Sequence, residues 1–107
     1  MKNLIIIFLL LAGIVSAQVE VIHFNAGWNS SNDVKWVDEL NDCEIKYIDI
    51  AENTKAQNKY EITVVPTIII LDDGEEDERY EADISFSMKA TKEEVQEYID
   101  ELIINKF

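Results

Sequence analysis

Short runs of apolar residues predict the strands of this chain. Residues 19–24 and 67–71 are almost continuously apolar, which is typical of strands buried on both faces. Residues 44–50 indicate another strand, and residues 78–84 alternate loosely between charged and apolar positions, as an edge strand does. Asp73-Gly74 has the signature of a hairpin turn. The pattern therefore predicts four strands, the last two joined by a hairpin.

Helical periodicity appears between and after these strands. Val34, Val37 and Leu40 recur at helical spacing, and the helix that they predict is capped within residues 29–31. Residues 52–60 predict a short second helix with its cap within residues 51–53. Thr91 and Glu94 form a capping box. The final helix that begins there has an apolar face made of Val95, Tyr98, Ile99, Leu102 and Ile103.

The predicted order of elements is β-α-β-α-β-β-α. Each strand–helix–strand unit implies a right-handed crossover between parallel strands, and the hairpin adds an antiparallel edge strand. The sequence therefore predicts an α/β fold with a four-stranded mixed sheet, in one domain spanning residues 18–107.

Residues 1–17 are excluded from that domain because they resemble a signal peptide. Lys2 is followed by an apolar run from Leu4 to Val15, and Val15-Ser16-Ala17 is typical of a cleavage site. The run is shorter than the roughly 20 residues that a membrane-spanning helix needs. We expect a protein exported to the periplasm or the medium, with no membrane association after cleavage; an uncleaved anchor is the alternative.

The charge of the chain narrows the choice of partners. The sequence has 22 acidic and 9 basic residues, a formal net charge of −13 at pH 7. Such a surface repels nucleic acid and anionic lipid. We predict no cofactor and no metal, because His23 is the only histidine and no Cys/His cluster accompanies it. We expect His23 to be a hydrogen-bonded core residue.

Four local stretches, in this order, resemble the thioredoxin family. They begin at Phe24-Asn-Ala-Gly-Trp28 and continue with Tyr47-Ile-Asp-Ile-Ala-Glu-Asn53, Tyr60-Glu-Ile-Thr-Val-Val-Pro-Thr67 and Leu71-Asp-Asp-Gly-Glu75. The resemblance covers nearly the whole predicted domain and implies the minimal thioredoxin fold, without the extra N-terminal strand and helix of full thioredoxins.

The chain departs from the family where the chemistry takes place. The resemblance places Asn29-Ser30-Ser31-Asn32 where the family has Cys-x-x-Cys. Catalysis in the family needs a thiolate with a lowered pKa and a second thiol that resolves the mixed disulfide. We therefore predict a degenerate site with no catalytic residue, in a protein that is redox-inactive and not an enzyme. Many relatives also carry a buried acid and a lysine near this site. The resemblance places His23 where they have the acid and Tyr47 where they have the lysine.

The family's proline loop is retained. The resemblance implies that Pro66 is cis and that the backbone of the preceding residue pairs with an extended peptide. The predicted binding residues for a protein or peptide partner are Trp28, Val65, Pro66 and Thr67, with Trp28 as an exposed apolar surface. A purely structural role of Pro66 in ending the loop is the alternative interpretation.

Cys43 leaves a second function open. A single cysteine in an exported protein is either a free thiol or part of an intermolecular disulfide. The alternatives to peptide binding are therefore a redox protein that uses Cys43 with a partner's thiol, or a scaffolding subunit of a larger assembly. Asn29-Ser30-Ser31 is also formally a glycosylation sequon.

Overall fold

The computed structural model describes residues 19–106. The strands are β1 (Val19–Asn25), β2 (Glu44–Asp49), β3 (Thr67–Asp72) and β4 (Glu75–Glu81). The α-helices are α1 (Thr54–Lys59) and α2 (Lys92–Ile104), and two 3-10 segments, Gly27–Asn32 and Lys35–Glu39, connect β1 to β2. The predicted signal peptide, residues 1–17, lies outside the described residues.

The four strands form one mixed sheet in the order β2-β1-β3-β4. β1 and β2 are parallel, whereas β3 is antiparallel to both β1 and β4. The mixed four-stranded sheet and the edge position of β4 are confirmed. Parallel pairing was expected from both strand–helix–strand units, and it is found only between β1 and β2. The connection through α1 places β3 on the other side of β1, where it runs antiparallel to β1.

Both faces of the central strands are covered. The cluster on one face lies under α2 and the 3-10 segments, and it comprises Val19, Val21, Val34, Val37, Leu40, Ile68, Ile70, Val95 and Ile99. The cluster on the other face lies beside α1, and it comprises Ile22, Phe24, Ile62, Val65, Ile69 and Leu71. Because successive strand residues point to opposite faces, β1 and β3 must be apolar at nearly every position.

The β3–β4 hairpin has a two-residue turn. Asp73 and Gly74 have φ values of 56° and 86°, the left-handed region that a type I′ turn requires at both central positions. Asp72 therefore pairs directly with Glu75. The fourth strand was predicted at residues 78–84, but β4 begins and ends three residues earlier. The reason is that strand pairing begins immediately after the tight turn.

The predicted first helix is also wrong. Between the two 3-10 segments, Asp33 and Val34 have ψ values of 140° and 92°, so the backbone leaves the helical region, and no side chain caps either segment. Glycine, serine and asparagine in this stretch are poor helix formers whose side chains compete for backbone hydrogen bonds. The prediction that this stretch has an apolar face is nevertheless confirmed, because Val34, Val37 and Leu40 are all buried.

The other helices begin as the sequence predicts. The Asn53 side chain accepts a hydrogen bond from the Ala56 N–H at the start of α1. The Thr91 side chain accepts one from the Glu94 N–H, at 3.1 Å, at the start of α2. Each cap satisfies one of the backbone donors that a helix leaves free at its N-terminus.

Candidate functional site

Three asparagines organise the turn that follows β1. Asn25 and Asn29 are both buried, and the Nδ2 group of Asn29 donates to Oδ1 of Asn25 at 3.0 Å. In return, Nδ2 of Asn25 donates to the Asn29 carbonyl at 3.1 Å and to a carboxylate oxygen of Asp33 at 2.6 Å. Asn32 donates to Oδ1 of Asn29 at 2.8 Å. The predicted degenerate positions 29 and 32 are thus joined by a direct hydrogen bond.

Asn29 also differs in exposure from its neighbours. Ser30, Ser31 and Asn32 are exposed, whereas Asn29 is only 4% exposed. Its amide nitrogen is the atom that glycosylation modifies in a sequon, and in the folded chain this atom is engaged by Asn25. The sequon at Asn29 is therefore inaccessible in the fold.

His23 lies beneath this turn as a buried core residue. Its Nε2 atom accepts a hydrogen bond from the Val34 N–H at 3.0 Å, at the break between the 3-10 segments. Burial lowers the pKa of His23, so the neutral imidazole is favoured, as this hydrogen bond requires. The expectation of a hydrogen-bonded core histidine is confirmed. Among residues 19–106, no three His, Cys, Asp or Glu side chains are grouped so that they could hold a metal ion.

Cys43 lies away from the turn, directly before β2. Its side chain is half-buried and packs against the core cluster under α2. Burial and the nearby Asp42 carboxylate raise the pKa of the Cys43 thiol to about 11. The thiolate, which is the nucleophile in disulfide exchange, is therefore scarce at neutral pH.

The four predicted binding residues differ in exposure. Trp28 is 69% exposed, whereas Val65, Pro66 and Thr67 are buried. The Val65–Pro66 peptide bond is cis, the Pro66 carbonyl accepts from the Ala82 N–H at 3.0 Å, and the Thr67 hydroxyl donates to the Val64 carbonyl at 2.7 Å. The Val65 backbone makes no hydrogen bond to other groups within residues 19–106.

Two further exposed residues belong to this surface. The ring of Phe86 contacts that of Trp28 edge to face, with centroids 5.7 Å apart, and Ile84 is 99% exposed. The Asp83 carboxylate accepts hydrogen bonds from the Ser85 and Ser87 N–H groups at 2.9 and 3.1 Å, which holds the loop in this shape. The sequence predicted Ile84 as the last residue of the edge strand and Phe86 as part of the loop after it, so neither was predicted as a binding residue. The available signal was that Ile84 and Phe86 alternate with the polar residues Asp83, Ser85 and Ser87.

Trp28, Val65, Ile84 and Phe86 line an open groove of about 370 Å³, which we call the Trp28 groove. Pro66 and Thr67 are not among its lining residues. The groove lies between the turn after β1, the segment before Pro66 and the loop that follows β4. Most of its wall is apolar, and its lining residues include Trp28, Ile50, Ile62, Val65, Ile84 and Phe86. Exposed apolar surfaces of this kind are typical of protein-interaction sites.

No described helix is both long and apolar enough to cross a membrane. No protein-family model matches the chain, and no curated protein matches it either.

The solved structures that resemble the chain include several thioredoxins. A mutant thioredoxin from Halobacterium salinarum superposes with a TM-score of 0.63 at 22% identity, covering 79% of this chain and 74% of that one. Thioredoxin-2, a component of the malaria parasite protein secretion machinery, gives 0.64 at 19% identity, covering 78% and 82%. Fasciola hepatica thioredoxin gives 0.57 at 27% identity, covering 80% and 83%. The chain is therefore thioredoxin-like in its fold, with Cys43 as its single cysteine.

Proposed function

We propose that this chain is an exported, redox-inactive thioredoxin-like protein that binds an extended peptide or protein segment in the Trp28 groove. The observation that carries the proposal is the groove itself, an exposed apolar surface lined in part by Val65, whose backbone makes no hydrogen bond within residues 19–106. An extended partner pairs its own backbone with Val65 and packs its side chains against Trp28 and Ile84. Such strand addition supplies affinity through backbone hydrogen bonds and specificity through side-chain contacts.

The absence of thiol chemistry follows from the residues at the turn. Asparagine has neither a nucleophilic sulfur nor a redox couple, and Asn29 is committed to a buried hydrogen-bond network. Cys43 offers no replacement, because its raised pKa disfavours the thiolate and its sequence position is remote from the turn. In an insulin-reduction assay with a dithiol reductant, we expect no turnover above the rate of the reductant alone. Turnover that depends on the protein would reject redox inactivity.

Binding is tested with two matched isoleucine variants. Ile84 and Ile104 are both exposed, at 99% and 68%, but only Ile84 lines the groove. We expect Ile84→Ser to weaken binding of an extended apolar peptide about fivefold or more, because roughly 1 kcal/mol of apolar contact is lost. Ile104→Ser is the control and should bind as the parent does. Equal affinities for the parent and both variants would contradict binding in the groove.

Export is tested separately. Mass spectrometry of the protein recovered outside the cytoplasm should give a chain that begins at Gln18, since residues 1–17 have the pattern of a cleaved signal peptide. A protein that retains Met1 and stays in the cytoplasm would contradict this part of the proposal. A chain that retains residues 1–17 in the membrane would support the anchor alternative.

A further inference from the structure

Two depressions of the surface are lined by residues that are adjacent in sequence. One is the Trp28 groove, and the other is a cavity of about 290 Å³, which we call the acidic cavity. Gly27 and Asp49 line the cavity, while the residues that directly follow them, Trp28 and Ile50, line the groove. A single extended segment that crosses Trp28 can therefore contact both depressions.

The acidic cavity carries negative charge without an internal counter-ion. Asp33 and Asp49 line it, and neither lysine nor arginine does. One carboxylate oxygen of Asp49 lies 3.2 Å from the position that a Cβ would occupy at Gly27, which places this charge directly beside the Trp28 segment. His23 also lines the cavity, and its imidazole is neutral because it accepts the Val34 N–H hydrogen bond.

The remainder of the chain supplies few cations to neutralise this charge. Residues 19–106 contain all 22 acidic residues but only eight basic ones, and five of the eight are held in ion pairs elsewhere. The paired basic residues are Lys46, Arg79, Lys89, Lys92 and Lys106. The other three, Lys35, Lys55 and Lys59, do not line the acidic cavity either, so a partner with a positive charge would meet no competing lysine or arginine in its wall.

We propose that the Trp28 groove selects cationic peptides, in which an apolar residue fills the groove and an adjacent lysine or arginine lies beside Asp49 and Asp33. This inference rests on the proposed function and names the class of partner. The Coulomb attraction strengthens in a partly enclosed cavity because water screens it less than at an open surface. The exposed face of Trp28 offers the same cation a second favourable contact.

The experiment uses the chain with the substitution Trp36→Phe, so that Trp28 is the only tryptophan and its fluorescence reports occupation of the groove. Three short peptides share one apolar core and differ only in the flanking residues, which are lysine, glutamine or glutamate. We expect the lysine peptide to bind about fivefold more tightly than the glutamine peptide at low salt, the upper end for a solvent-accessible ion pair. High salt should remove this advantage, and the glutamate peptide should bind most weakly.

Two variants, each lacking one negative charge, test whether the preference for the lysine peptide depends on the acidic cavity. Asp49→Asn keeps an oxygen that accepts the Ala51 N–H hydrogen bond while it removes the charge. Asp73→Asn is the matched control, because it removes the same charge at the far hairpin, where asparagine tolerates the positive φ. We expect Asp49→Asn to reduce the lysine-over-glutamine preference to within twofold of unity, and Asp73→Asn to leave it nearly fivefold.

The other outcomes would contradict the cationic preference, the role of the acidic cavity or the proposed function, as follows. Equal binding of the lysine and glutamine peptides would reject the cationic preference and leave the proposed function standing. A similar loss in both aspartate variants would assign the preference to overall charge and reject the role of the acidic cavity. No change in Trp28 fluorescence with any peptide, or a groove closed by self-association in sedimentation experiments, would reject the proposed function and this inference together.

Discussion

Replacing Asn29 by alanine tests whether the polar network holds the turn after β1. Asn29 is 4% exposed, and its Nδ2 group is the hydrogen-bond donor to Oδ1 of the equally buried Asn25. Alanine leaves that Asn25 oxygen without its donor, and an unsatisfied buried polar atom costs about 1–3 kcal/mol. The hydrogen bond from Asn32 is also lost, but its amide is exposed, so water replaces Asn29 at little cost.

We therefore expect Asn29→Ala to lower the free energy of unfolding by about 2 kcal/mol. For a domain of this size, that corresponds to a fall in Tm of about 10 °C. The assay is urea unfolding followed by circular dichroism, with the midpoint compared at an unchanged m-value. Ser31→Ala is the matched control, because Ser31 is exposed in the same segment, and it should change the stability by less than about 0.5 kcal/mol.

A double variant distinguishes the cost of leaving the Asn25 Oδ1 atom without a hydrogen-bond donor from the cost of losing side-chain contacts in general. In Asn25→Ala/Asn29→Ala both members of the reciprocal pair are gone, so the double variant should be more stable than the sum of the two single losses implies. The reasoning fails if Asn29→Ala unfolds at the parent midpoint, or if the two single losses simply add.

The remaining predictions concern three other groups. Burial lowers the pKa of His23, so the parent should lose stability as the pH falls below about 6.5, where the unfolded state takes up the proton first. Urea midpoints at pH 8 and pH 5 should show a larger fall for the parent than for His23→Gln; equal falls would contradict this. The pKa of about 11 for Cys43 predicts that the folded chain reacts with a disulfide reagent at pH 8 about tenfold more slowly than the urea-unfolded chain, because the lower thiolate fraction is only partly offset by the higher nucleophilicity of that thiolate. Similar rates would argue against burial of this thiol. Thr91→Ala should cost about 1 kcal/mol of unfolding free energy through loss of the cap on α2, whereas Thr91→Ser should retain most of it. Equal losses in the two Thr91 variants would show that the hydroxyl is not the stabilising group.

Cys43→Ser decides between binding and the redox alternative. If Cys43 forms a mixed disulfide with a partner, the corresponding band on a non-reducing gel should vanish in this variant. Peptide binding in the Trp28 groove should be unchanged, because Cys43 does not line it. Loss of binding in Cys43→Ser would contradict the separation of the two surfaces.

The amino-acid sequence determined those features whose cause is local. β1 and β3 are recognisable because strands covered on both faces must be apolar at almost every position. The hairpin is recognisable because Asp73-Gly74 suits a turn with two left-handed residues, and the start of α2 because Thr91 caps the backbone three residues on. The order of these elements, together with Phe24, Trp28 and Pro66 in their places, was sufficient to indicate the thioredoxin-like fold.

Tertiary structure decided what depends on residues distant in sequence. The stretch after β1 is broken because the Val34 N–H donates to His23 and because Asn25 reaches Asn29 and Asp33, and helical spacing alone reveals neither partner. Phe86 contacts Trp28 across nearly sixty residues of sequence only because β4 ends beside Pro66 and the next loop turns back. Periodicity reports which face of a segment is buried, but the partners on that face are fixed by how the strands pair and the loops close.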